Sequence, residues 1–189
     1  MAYLSESELA VMGFKHLGKN VKISTRASIY NADQIEIGDN SRVDDFCLLS
    51  GKITVGNYTH IVPYCNLAGG EKGIIIEDFI ALSYGVHVFT QSDDYSGNTL
   101  INPMIPEKYK NVTREAVYIR KHSIIGAGSI IMPGVELKEG TSIGAMSLVR
   151  KSTEEWSIYV GNPARKIKNR SKGLLELEKA FLTEEKNHL

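Results

Sequence analysis

The feature that most constrains this chain is a period of six. Aliphatic residues stand at Ile37, Val43, Leu49, Val55, Ile61 and Leu67, each six apart. After three extra residues in the 69–73 region the series resumes at Ile76, Leu82 and Val88. Beyond a long break it returns at Ile119, Ile125, Ile131, Leu137, Ile143 and Val149. Two residues before each member stands a small or β-branched side chain, among them Ser41, Cys47, Thr59, Cys65, Val86, Ser129 and Ser147. Apolar residues three and four apart would signal a helix; alternate positions facing one way signal a strand. Gly, Asn and Asp recur between the blocks and mark corners. Three such strands per coil make a triangular prism, each coil stacked on the last so that the aliphatic series is buried.

The flanks lie outside this period. SESELAVM (residues 5–12) places a serine before an acidic turn, as at a helix start. SKGLLELEKAFL (residues 171–182) spaces its apolar residues as a short amphipathic helix. The chain is therefore expected to be one domain: a helical cap over 1–19, a β-prism over 20–166 interrupted by a loop over 89–116, and a C-terminal helix over 167–189.

Composition narrows the function. Lys and Arg total 22, and Asp and Glu total 22, so there is no basic footprint for nucleic acid. No apolar run has the length of a membrane span, and MAYLSESELA lacks the regions of a secretory signal. Two cysteines suggest a reducing compartment, and a cytoplasmic location is expected. Cys47 and Cys65, eighteen residues and hence one coil apart, are expected to stack as small core residues.

The six-residue pattern resembles the hexapeptide-repeat family, which forms left-handed parallel β-helices. The resemblance covers roughly residues 20–166 and implies an all-β fold of that hand. IIGAGSIIMPGVELKEGTSIGAMSLVRKS, leading into YVGNPARKIK, is similar to the maltose, galactoside and xenobiotic acetyltransferase group. That likeness implies acetyl-CoA as co-substrate and a homotrimer with sites between subunits. Gly126, Ala127, Gly144 and Ala145 would meet the pantetheine arm, and Arg150, Lys151, Arg165 and Lys166 the phosphates. The chemistry is sound for these residue types: small residues let a ligand approach the backbone, and basic side chains suit phosphate.

The acceptor side is expected at the long break, which opens with FTQSDDYSG. Loops of that length are usually functional, and this one, with Pro103, Met104, Ile105 and Pro106, is too apolar for a free linker. Where the acetyltransferase group keeps a catalytic histidine, this sequence has Asp93. An ordinary aspartate, with a pKa of about 3.9, is a poor base for an alcohol. It is suited to holding an ammonium group and taking its proton, which points to an amino sugar. The DDYSG loop followed by NPMIPEKYKNV also resembles surface-polysaccharide acetyltransferases, including enzymes of the dTDP-4-amino-4,6-dideoxyglucose N-acetyltransferase type. Others of that subgroup carry O-acetyltransferase labels.

Asp93 and His87 are the candidate catalytic residues. Asn66, one coil below His87 by the count of eighteen plus three, joins Asp94 and Tyr84 as candidate acceptor contacts. Two rival classes stand beside this one. A prism can be a scaffold without catalysis. A metal-dependent anhydrase would need a histidine triad, but His16, His60, His87, His122 and His188 show no such grouping by coil position, so no metal is expected.

Overall fold

The computed structural model describes residues 2–187 and has the left-handed parallel β-helix architecture, with about 7 turns. Three faces close the prism. The first runs through Ser28–Tyr30, the leading half of Leu48–Val55, the leading half of Asn66–Ile76, then His87–Phe89, Ile130–Ile131 and Leu148–Val149. The second runs through His16–Leu17, Ile35–Ile37, the trailing halves of those two long strands, then Val117–Ile119 and Glu136–Leu137. The third runs from Lys22–Ile23 through His60–Ile61, Ala81–Leu82 and Ile124–Ile125 to Ser157–Val160. Arg165–Asn169 then folds back antiparallel on the last of these.

All fifteen members of the aliphatic series, Ile37 to Val149, are buried, and so is the residue two before each. The polar members of that second set offset their burial with hydrogen bonds between coils. Ser41 Oγ donates to Gly56 O at 2.8 Å and Ser129 Oγ to Gly144 O at 3.0 Å. The Cys47 and Cys65 thiols point to Val62 O at 3.2 Å and Ser83 O at 3.1 Å, so both are core groups with a structural task.

One corner carries the chain's irregularities. Leu49 pairs with Leu67 and Val55 with Ile76, although six residues separate the first members and nine the second. The three extra residues therefore bulge at the corner between the first and second faces. Gly51 and Gly70 take left-handed φ values of 74° and 49° there, and a Cβ on Gly51 would lie 2.5 Å from Gly70 N. The long loop leaves the prism at this same corner, between Val88 on the first face and Val117 on the second.

The corner between the second and third faces is built from aromatic residues in left-handed backbone, which L side chains seldom adopt. Tyr58, Phe79, His122 and Trp156 have φ values of 52°, 57°, 63° and 48°. Their rings stack coil upon coil, Tyr58 on Phe79 at 4.9 Å and Phe79 on His122 at 5.6 Å. Helix α2 (Leu174–Asn187) closes this ladder. Phe181 sets its edge against Tyr58 at 5.2 Å, and Glu178 lies 2.9 Å from His122 Nε2. At the other end α1 (Glu6–Val11) starts on a capping box, Ser5 with Glu8.

Candidate active site

The long loop has a hydrogen-bonded stem. Gln91–Ser92 pairs antiparallel with Thr113–Arg114, and Thr90 Oγ1 ties the stem to Ala68 O at 2.9 Å. Beyond the stem the chain folds beside the upper coils of the first face and borders a half-open cavity of about 680 Å³. Phe89, Ser92, Asp93 and Tyr95 line it from the loop, and Ile130, Met132 and Leu148 from the coils. That size lies within the range of small-molecule sites.

The two adjacent aspartates have different tasks. Asp94 accepts from Ser96 N and Ser96 Oγ, both at 2.8 Å, and from Thr99 Oγ1 at 3.0 Å. The Ser96 backbone N–H above all, then the two hydroxyls, holds its carboxyl below the usual aspartate range. Asp94 thus builds the bend of the loop. Asp93 lines the cavity, and among the described residues its carboxylate has a single, long hydrogen bond, 3.4 Å from Asn102 N to Oδ2.

His87 and Asn66 are in register on neighbouring coils of the first face, with Ile130 above them. The His87 ring lies nearly parallel to Phe89, 5.9 Å away. Asn66 Oδ1 and His87 Nδ1 are buried and have no hydrogen-bond partner among the described residues. Buried polar atoms are seldom left so. Tyr84 projects at the corner between the third and first faces, 58% exposed, while its carbonyl accepts Gly128 N at 2.8 Å.

The glycine pairs expected to meet a ligand have a reason to be small inside the prism. A Cβ on Gly126 would sit 2.4 Å from Ala145 N, and one on Gly144 would sit 2.4 Å from Val160 Cγ1. Coil stacking against backbone requires Gly126, whereas at Gly144 the neighbour is the end of the Val160 side chain. Ala145 is exposed and Ala127 half-buried, and Met146 N donates to Ala127 O at 2.8 Å.

The four basic residues line one groove of about 560 Å³, together with Ser152, Tyr159 and Pro163. Lys166 is engaged by Glu154 at 2.7 Å, and Arg165 donates to Ala164 O at 3.1 Å. Arg150 and Lys151 are exposed, and neither forms a salt bridge among the described residues. This groove adjoins the loop cavity, since Leu148 lines one and Val149 the other. Two open cations beside two restrained ones suit the phosphates of a nucleotide thioester. No group of three or more His, Cys, Asp or Glu among the described residues is placed to hold a metal ion. His188 lies outside those residues. None of their helices is long and apolar enough to cross a membrane.

A basic groove beside a cavity lined by the Asp93 carboxylate, both on a hexapeptide prism, fits an acyltransferase of the coenzyme A-dependent class. Comparison with known proteins takes this further. No family model matches the chain. An Escherichia coli dTDP-4-amino-4,6-dideoxy-D-glucose acyltransferase is 47% identical over 184 residues, covering 96% of this chain and 95% of its own. AntD, an N-acyltransferase from Bacillus cereus solved with dTDP and 3-hydroxybutyryl-CoA, is 51% identical with a TM-score of 0.96, over 97% of this chain and 98% of its own. An AntD variant with a serine changed to alanine, solved with dTDP-4-amino-4,6-dideoxyglucose and coenzyme A, matches with the same values. AntD variants at an aspartate ten positions after that serine have also been solved. The chain belongs to the dTDP-4-amino-4,6-dideoxyglucose acyltransferase family of hexapeptide-repeat enzymes.

Proposed function

We propose that this protein acylates the amino group of a dTDP-linked amino-deoxysugar, dTDP-4-amino-4,6-dideoxyglucose or a close analogue, with acetyl-CoA as donor. The observation that carries the reading is a pair of residues. The chain contains a single serine followed ten positions later by an aspartate: Ser83 and Asp93. AntD has been solved as variants of a serine and an aspartate with that same spacing. Ser83 directly precedes Tyr84 at the edge of the third face, just before the chain turns onto the face carrying His87. Sequence reasoning chose its neighbour; the small polar residue at the coil's edge was the signal to follow.

In this reading Asp93 holds the sugar ammonium in the loop cavity and accepts one proton, which passes to solvent. The free amine then attacks the thioester carbonyl. The C–N bond forms, the C–S bond breaks, and the second nitrogen proton ends on the departing sulfur. The products are an amide and free coenzyme A thiol. A carboxylate can fill this role, because an amine needs no further activation once deprotonated. His87, with Asn66, orients the reacting groups. Arg150, Lys151, Arg165 and Lys166 bind the coenzyme phosphates, and Ala127 and Ala145 leave room for its arm.

The exposed side chains Phe46, Tyr64, Tyr84 and Met146 form an apolar stripe that supports assembly as a homotrimer, with each site between two subunits. A cytoplasmic role in building surface polysaccharide follows from the substrate class. The test is thiol release from acetyl-CoA with the 4-amino nucleotide sugar and with its 4-hydroxy counterpart. Turnover that depends on the amine is expected. Release with the hydroxyl sugar alone, or with neither, sinks the reading.

A further inference from the structure

The loop cavity contains a cationic group that the acyl-transfer chemistry leaves unused. Lys110 Nζ lies 3.0 Å from Glu107 Oε1, and Arg114 Nη2 lies 3.0 Å from Glu107 Oε2. All three line the same cavity as Asp93. Their exposures are unequal. The Lys110 side chain is 6% exposed and Arg114 31%, whereas Glu107 is 65% exposed. A lysine is almost never buried this deeply without firm pairing, yet the carboxylate that meets it, Glu107, stands largely in solvent. Both cations lower the Glu107 carboxyl below its usual range, Lys110 first.

The positions of the two cations are fixed by backbone. Arg114 is held in the loop stem opposite Gln91. Lys110 is bridged to Leu100, and its N–H donates to Glu107 O at 2.9 Å. Glu107, at the start of a single 3-10 turn (Glu107–Tyr109), has little to hold its side chain except the two cations. The carboxylate thus spans two cations with one oxygen on each, as a bridging oxyanion would, and it can turn out to solvent.

We infer that Lys110 and Arg114 form the binding site for the diphosphate of the nucleotide-sugar acceptor, and that Glu107 occupies this site when the acceptor is absent. The inference rests on the acceptor class proposed above. A nucleoside diphosphate sugar presents an amine on one side of the hexose and a diphosphate on the other, and the cavity supplies a carboxylate for the first and two cations for the second. Arginine's fork and lysine's compact charge are both suited to phosphate oxygens.

Calorimetric titration of the full chain with dTDP, thymidine and coenzyme A tests this. Lys110→Met and Arg114→Gln are expected to weaken dTDP binding roughly 10- to 100-fold, the effect of losing a charge-assisted hydrogen bond. Thymidine and coenzyme A binding should be unchanged, the latter also reporting that the variants are folded. Glu107→Gln is expected to tighten dTDP binding, and an unchanged affinity would overturn the placeholder role of Glu107. If the cluster only braced the loop, Glu107→Gln would weaken dTDP binding as the cation variants do, and that result overturns the inference. Unchanged dTDP affinity in both cation variants, with a wild type that binds dTDP, overturns it too and leaves the acceptor reading intact. A wild type that binds coenzyme A but no dTDP overturns the acceptor reading, and this inference with it.

Discussion

Asn66 and His87 are backbone partners on adjacent coils, and Asn66 Oδ1 and His87 Nδ1 are both buried with no hydrogen-bond partner among the described residues. Each such atom costs on the order of 1–3 kcal/mol in the free protein. A fold of this regularity has no structural need for either residue, since its other outward rows tolerate apolar side chains. Asn66→Leu is therefore expected to raise stability by about 1 kcal/mol while lowering kcat/KM at least 10-fold. Denaturant unfolding and steady-state kinetics on the same preparation check this. A variant that is both less stable and fully active would assign Asn66 to the scaffold.

The two aspartates should separate cleanly. Asp93→Asn keeps shape and removes the carboxylate, and it is expected to reduce kcat by roughly 100-fold or more. Asp94→Asn removes charge from a residue whose oxygens all serve the loop, so its smaller effect should fall on the acceptor KM. His87→Ala is the companion measurement. If it abolishes turnover while Asp93→Asn hardly matters, the assignment of the base is wrong.

Arg150→Gln and Lys151→Gln are expected to raise the KM for acetyl-CoA about 10-fold each with little change in kcat, because phosphate contacts far from the thioester bind ground and transition states alike. The effect should shrink as salt is raised. A loss in kcat at constant KM would place these side chains elsewhere.

Docking of α2 should depend on acid. Burial raises the Glu178 carboxyl, but Lys121 and His122 outweigh it, and the folded pKa lies below the ordinary 4.5. A depressed carboxylate pKa contributes stability that is fully present above about 4.5 and is lost as pH falls through the lower folded value. Hydrogen exchange over 174–187 should accelerate in that window, and Glu178→Gln should remove the pH dependence. Exchange in α2 that stays flat as the solution is acidified through that window would refute it.

Gly126→Ala tests the claim that this glycine serves coil stacking. The added methyl would meet Ala145 N at 2.4 Å, a backbone atom that cannot step aside, so a loss of about 1–3 kcal/mol is expected. Ala127→Val, on the outer side of the same corner, should instead leave stability alone and weaken acetyl-CoA binding.

Some of the site was legible in the sequence for a simple reason. In this fold, sequence distance is spatial distance. A step of eighteen residues is one coil, so counting alone put Cys65 above Cys47 and, with the three-residue bulge, His87 above Asn66. The count also gave the core, since every member of the two inward series from Ile35 to Val149 is buried. The loop offered no such ruler. The resemblance singles out Asp93 as the candidate base and Asp94 as an acceptor contact, and only the folded loop ties Asp94 to Ser96 and Thr99 while Asp93 lines the cavity. Lys110 and Arg114 carry no signal in the sequence, because their burial comes from the folded loop rather than from the repeat.

The aromatic ladder was equally hidden. Phe79, His122 and Trp156 occupy left-handed corners where sequence rules expect Gly or Asn, and nothing local foretells that α2 will cover them. Periodicity determined the prism, its register and its core, because backbone pairing between coils repeats at fixed spacing. The tertiary structure alone decided what holds Asp94, where the loop's cations meet and which corner the last helix covers, because those depend on side chains meeting outside the repeat.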